Sequence, residues 1–317
     1  MKPSIFPSAF LLTALQLAPL HANDTPTQIV AQTPGLVAFW TFGEEAGQPR
    51  ASTGTKEKLP IEEVGGPITR VEGGPFSGYS AQFDGHHYFR IPHEQTGGLN
   101  ISGKDAQLSM FAVVNVSSGK TIAGIWSEGK GFGDDSGTRQ YAMLMDMPAY
   151  GGPKRLTPHI SSEGGVTYRA DGSQFPWCAD YAAGKTELPK DQWMTLGFTY
   201  DGQFIRAYFN GLLDAQDLDP VKHKRTDPYF TQEGPGGHSR GINPYYHGRG
   251  IFQYDAAKHA KTKIAPSDFT VGSRLVMGGK LREALVGKMA GLAVFNRAIT
   301  AEEMKKLHDA GGTGVLK

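Results

Sequence analysis

In the stretch DQWMTLGFTYDGQFIRAYFNG, Met194, Leu196 and Phe198 alternate with Thr195, Gly197 and Thr199. Beyond Asp201-Gly202, Ile205, Ala207 and Phe209 alternate with Phe204, Arg206 and Tyr208. A period of two belongs to a strand with one buried face. Asp201-Gly202 and Asn210-Gly211 favour the positive backbone angles of tight hairpin turns. The pattern therefore predicts two paired strands with a third beginning, and it puts Arg206 and Tyr208 on the face away from the core. Similar runs start at Leu36, Tyr79, His87, Leu108, Thr121, Arg139, Asp268 and Val286. Many short strands separated by turn signals predict an all-β fold, a two-sheet antiparallel sandwich.

One helix interrupts the pattern. Thr300 and Glu303 have the spacing of a capping box, Ile299 can staple onto Met304, and Met304 and Leu307 share a face ahead of a stop at Gly311. It is expected to close the sandwich from the surface. Residues 1 to 22, MKPSIFPSAFLLTALQLAPLHA, place Lys2 before an apolar stretch that ends in small residues. They read as a secretory signal peptide cut after Ala22, with one domain from 23 to 317, so the protein is expected to be exported to the periplasm or outside the cell. No later run is long and apolar enough to span a bilayer.

Composition narrows the function. Lys+Arg number 32 against Asp+Glu 31, a formal net charge of +1, so no overall field draws the chain to nucleic acid or anionic membrane. Glycine (42) and proline (20) suit a fold rich in turns. Cys178 is the only cysteine, so the exported chain relies on its core and not on an internal disulfide. Cys178 itself reads as a small buried hydrophobe, since no base stands next to it in sequence.

The stretches YSAQFDGHHYFRIP, LSMFAVVNV, DQWMTLGFTYDGQFIRAYFNG and FTVGSRL, with LVGKMAGLAVFNRAITAEEMKKL, resemble the laminin-G-like jelly-roll domains of the concanavalin A-like lectin and glucanase superfamily. The resemblance implies two curved sheets, carbohydrate or protein binding, and in some members calcium. It leaves two long insertions, at about 128–190 and 214–267, unexplained.

The insertions carry the candidate chemistry. Arg139, Tyr141, His159, Tyr168, Arg169, Trp177 and Asp180 supply aromatic faces for a sugar ring and charged groups for its hydroxyls or carboxylate. Tyr245, Tyr246 and His247 add the same types in the second insertion, whose histidines are not at zinc-ligand spacing. With Arg206 and Tyr208, these residues predict that the concave face implied by the resemblance, together with the long loops, binds a glycan, an acidic polysaccharide if the arginines line it. A second reading is a lyase acting on a uronate-containing polysaccharide, with Tyr141 or Tyr208 as base and acid, His159 as helper and Arg139 or Arg206 as carboxylate clamp. The paired-carboxylate strand of the glucanases is missing, which disfavours retaining hydrolysis. Asp134 and Asp135 in GKGFGDDSG offer oxygens for calcium, or serve as turn residues bonding their own backbone.

Overall fold

The computed structural model describes residues 24–55, 57–131, 133, 135–147, 152–168, 172–174, 177–178, 180–214, 216–217, 239–240, 250–259, 264–276 and 280–312. The expected signal peptide, with Asp134, Arg169, Tyr245, Tyr246 and His247, lies outside them. In chain order the strands are β1 (Leu36–Trp40), β2 (Glu62–Val64), β3 (Thr69–Glu72), β4 (Tyr79–Asp84), β5 (Tyr88–Ile91), β6 (Leu108–Ser118) and β7 (Thr121–Ile125). They continue with β8 (Tyr141–Met147), β9 (Gly152–Leu156), β10 (His159–Ile160), β11 (Trp193–Tyr200), β12 (Ile205–Phe209) and β13 (Leu212–Leu213). The last are β14 (Gln216–Asp217), β15 (Ser239–Arg240), β16 (Phe269–Val271), β17 (Arg274–Val276), β18 (Lys280–Arg282) and β19 (Val286–Phe295).

Two antiparallel sheets make the sandwich. Among the described residues, the first runs β13-β12-β11-β6-β19-β4-β3, with β1 also on β19. The second runs β10-β8-β7-β16-β5-β2, with β9 also on β8. One continuous core lies between them: Met110, Ala112 and Val114 of β6 and Met194, Leu196 and Phe198 of β11 meet Ile122, Met143 and Phe269 of the second sheet. Burying each of the larger side chains is worth about 1.5–3 kcal/mol. Trp40 is wholly buried there, stacks on Phe269 at 5.5 Å, and its indole N–H donates to the Leu59 carbonyl at 2.8 Å.

The predicted alternation in β11 and β12 holds. Ile205 and Ala207 enter the core while Arg206 and Tyr208 point away from it. The two turns differ from each other. Asn210 and Gly211 both have positive φ (47° and 76°), as a two-residue turn needs. The first turn instead spans four residues, 201–204, because the Asp201 carboxylate accepts from the backbone N–H of Gln203 and Phe204 and closes a wider loop.

Outside the first sheet lies a helical layer. The C-terminal helix, Ala301–Gly311, starts with the expected capping box: Thr300 Oγ1 accepts from Glu303 N at 3.1 Å, and Glu303 Oε2 from Thr300 N at 2.7 Å. It ends one residue later than expected, with Gly312 as the left-handed cap at φ 54°. A first helix, Pro26–Gln32, has its own capping box from Thr25 and Gln28. Val30, Met304 and Leu307 from these helices pack on Phe111, Val113 and Tyr208 of the sheet. The C-terminal helix approaches closely over Gly197, where a Cβ would lie 2.5 Å from Met304 Sδ.

Candidate functional site

β8 sets the chemistry of the second sheet. Tyr141, Met143 and Met145 point into the core, and Ala142 and Leu144 point to the opposite face. That outer face is also apolar, since Trp126, just past the end of β7, packs there with Ala142, Leu144 and Cys178. It needs a cover, and the segment around β10 supplies one: Tyr181 bridges to His159 and its ring stacks on the imidazole at 4.8 Å. On the other side β17 and β18 form a hairpin beside β7, tied to it where Glu128 N–H donates to the Leu275 carbonyl.

Between cover and hairpin opens a pocket of about 630 Å³, within the ~300–1,000 Å³ usual for small-molecule sites. Its floor is Trp126, Leu144, Cys178, His159 and Tyr181, with Trp177 and Met147 higher on the walls. The wall formed by β17, β18, the β6–β7 turn and the segment that follows β7 is ionic. Arg274, 1% exposed in its side chain, pairs with Glu128 at 3.0 Å and with Glu283. Further out, Arg282 contacts Glu128 at 3.6 Å and Lys120 contacts Glu283 at 3.4 Å. Arg139 adds a fourth cation, donating to the carbonyls of Gly131 and Gly164, with its guanidinium 5.8 Å from the Trp126 ring centre.

His159 is held neutral. Burial pushes its pKa down to about 3, and the nearby Arg274 and Arg139 push the same way. Its Nδ1 lies 2.7 Å from the Thr157 carbonyl, which can only accept, so Nδ1 carries the proton and Nε2 is an acceptor. Burial pushes the Cys178 thiol up to about 12, so it remains a thiol rather than a nucleophilic thiolate.

Of the residues singled out from sequence, Arg139, His159 and Trp177 line this pocket together. Asp180 is buried, accepts from Thr167 Oγ1 at 2.9 Å, and is not among the lining residues. Tyr168 donates to Asp135 Oδ2 at 2.8 Å, and this bond raises the phenol's pKa.

Three expectations need correcting. Tyr141 is fully buried between the sheets, donating to the Leu99 carbonyl at 2.7 Å, where no substrate can reach it. The strand-like run expected to start at Arg139 becomes a strand only at Tyr141, so Arg139 lies in the loop before β8. Tyr208 is 4% exposed, in the cluster under the C-terminal helix, and Arg206 pairs with Asp201 at the edge of that same sheet. The lyase arrangement is thus not assembled: its two tyrosines lie in different layers, neither on the pocket, and a histidine with a pKa near 3 is a poor base at neutral pH. For calcium, the described part of the Asp134-Asp135 loop offers one carboxylate, already bonded to Tyr168, against the six to eight oxygens the ion takes. No group of three or more His, Cys, Asp or Glu among the described residues could hold a metal ion.

Sequence patterns did not point to Lys120, Trp126, Glu128, Arg274, Arg282 and Glu283. They come from two segments about 150 residues apart, and no local motif joins them. The one signal for this face is YAMLM in β8, a continuous apolar run in place of alternation, which marks a strand covered on both faces.

No protein-family model matches the chain, and no curated protein matches it. Among solved structures it is similar to domain 4 of an extracellular GH43 arabinanase from Geobacillus stearothermophilus in complex with arabinotriose, at TM-score 0.48 and 15% identity over 86% of this chain and 98% of that one. It is also similar to the binding domain of Paraclostridial Mosquitocidal Protein 1, at TM-score 0.47 and 10% identity over 87% and 52%. A third is Trypanosoma rangeli sialidase in complex with sialic acid, at TM-score 0.44 and 12% identity over 89% and 36%. The chain thus spans about half of the second and about a third of the third.

Proposed function

We propose that the protein binds a glycan in the pocket on the outer face of the second sheet. One observation carries this reading: Trp126, Trp177 and Tyr181 share a single cavity with an ionic wall of arginine, lysine and glutamate. Sugar rings pair an apolar face with a rim of hydroxyls. Aromatic side chains bind the first and charged hydrogen-bonding groups fix the second. Trp177 is the partly exposed aromatic of the set, so it is the one a ring would meet first.

Two broader readings accompany this. We assign the sandwich to the laminin-G-like, concanavalin A-like jelly rolls on the stretches quoted above, and we regard the protein as exported on the strength of residues 1–22. N-terminal sequencing of protein secreted by an expressing cell tests the second; a chain that still begins at Met1 refutes it.

Binding is tested by titration calorimetry against neutral and acidic oligosaccharides. Trp177→Ala is expected to weaken binding about tenfold, the equivalent of ~1.4 kcal/mol of ring contact. Arg206→Ala, on the other sheet, is expected to change affinity by less than about twofold. Failure of every glycan to bind, or an Arg206→Ala loss as large as that of Trp177→Ala, overturns the proposal.

A further inference from the structure

We propose that the pocket selects an anionic sugar residue, whose charged group is received at the mouth by Lys120 and Arg282. This inference rests on the glycan reading and adds the class of glycan to it.

Charge is layered down the ionic wall. Three cations, Arg274, Arg282 and Lys120, converge on two carboxylates, Glu128 and Glu283. The innermost, Arg274, takes the shorter contact with each carboxylate. Both glutamates are therefore committed inward, to a guanidinium that is 1% exposed in its side chain. The outer cations lie farther from these carboxylates, at 3.6 Å for Arg282 and 3.4 Å for Lys120, and they are the more exposed, at 37% and 28% of the side chain. Lys120 Nζ carries three N–H donors and, among the described residues, makes this one ion contact. Glu128 is buried and Glu283 partly so where they pair with Arg274, and the more exposed groups of the cluster are the two outer cations.

The floor feels the same field. The charges acting on His159 are Arg274 and Arg139, and both oppose its protonation. A neutral imidazole stacked on Tyr181 leaves an uncharged aromatic surface for the body of the ligand, below a cationic rim for its charged substituent. A sugar carrying a carboxylate or a sulfate has this division of polarity. A neutral sugar would take water from these exposed cations and offer no charge in its place.

The test compares matched ligands on the full-length protein. Uronate oligosaccharides are titrated beside their carboxyl-reduced counterparts, and sulfated chondroitin fragments beside desulfated ones. The acidic member of at least one pair is expected to bind about tenfold or more tightly at low ionic strength, with the advantage shrinking as salt rises. Which pair shows it separates carboxylate from sulfate recognition. Lys120→Gln and Arg282→Gln are expected each to reduce the acidic-to-neutral ratio, and together to bring it close to one. Both sites are partly exposed, so the variants should fold, and melting curves check that they do. Equal binding of acidic and neutral members refutes this inference while leaving the glycan reading intact, and so does a preference that survives in the double variant. Failure of all members to bind refutes both.

Discussion

Glu128→Gln keeps the size of the side chain and removes its charge from a position that is 3% exposed. Arg274, itself 1% exposed, would keep Glu283 as its carboxylate partner among the described residues. Removing one partner of a buried pair typically costs about 3–5 kcal/mol, because the remaining ion has given up its water without full compensation. Glu283 stays in place and is partly solvated, at 18% exposure, so the cost here belongs at the low end, about 3 kcal/mol. With a urea slope of ~3 kcal/mol/M for a chain of this length, the unfolding midpoint should fall by about 1 M at unchanged slope. A second variant separates the pair from its surroundings. Glu128→Leu combined with Arg274→Met removes both ions together and should recover most of the loss, since a buried ion pair seldom outperforms an apolar replacement. A midpoint shift below about 0.3 M, which is only ~1 kcal/mol, would refute the reasoning. So would a double variant no more stable than the sum of its single changes.

Two further outcomes follow from the same geometry. His159 has a folded pKa of about 3 against an ordinary 6.5, so between these values the unfolded chain takes up the proton first and stability falls as pH falls. Relative to His159→Phe, the parent should lose about 2 kcal/mol of stability between pH 7.5 and pH 5, and urea melts giving a pH-independent difference would refute this. Gly197→Ala would drive a Cβ to 2.5 Å from Met304 Sδ and 2.8 Å from its Cε, at a residue that is 1% exposed. It should cost about 1–3 kcal/mol, partly recovered by adding Met304→Ala, and an unchanged melting temperature would show that the helix does not seat on this glycine.

The strands were legible because their signal is local. Side chains alternate about the backbone of any strand, so β12 alone declares that Ile205 and Ala207 share one face and Arg206 and Tyr208 the other. The same locality makes the Thr300-Glu303 cap readable, and Thr25-Pro26-Thr27-Gln28 spells an equally local cap for the first helix. Parity does not say what covers the second face. For the first sheet the cover is helical, and this moves Tyr208 from a candidate site into a packed layer. For the second sheet it is a loop and a hairpin with a pocket between them.

Candidate chemistry was legible by residue type and not by place. Arg139, His159 and Trp177 were recognisable as groups a sugar site could use, and they do meet. Tyr141 and Tyr208 are of equally suitable types and are buried elsewhere. The ionic partners Glu128, Arg274 and Glu283 gave no warning, because nothing in IWSEG, GSRLV or LREAL shows that these segments adjoin.

By itself, then, the order of residues determined the short strands, their inward and outward sides, the capped C-terminal helix and the supply of aromatic and charged groups. These depend on backbone geometry and on neighbours a few positions away. Tertiary structure decided which outward face is sealed by helices and which opens as a pocket, which arginine is buried and which reaches the mouth, and which state His159 adopts. Those outcomes depend on burial and on charges brought together across long stretches of chain, where desolvation and Coulomb energies arise only once the sheets, the hairpin and the loop have closed on one another.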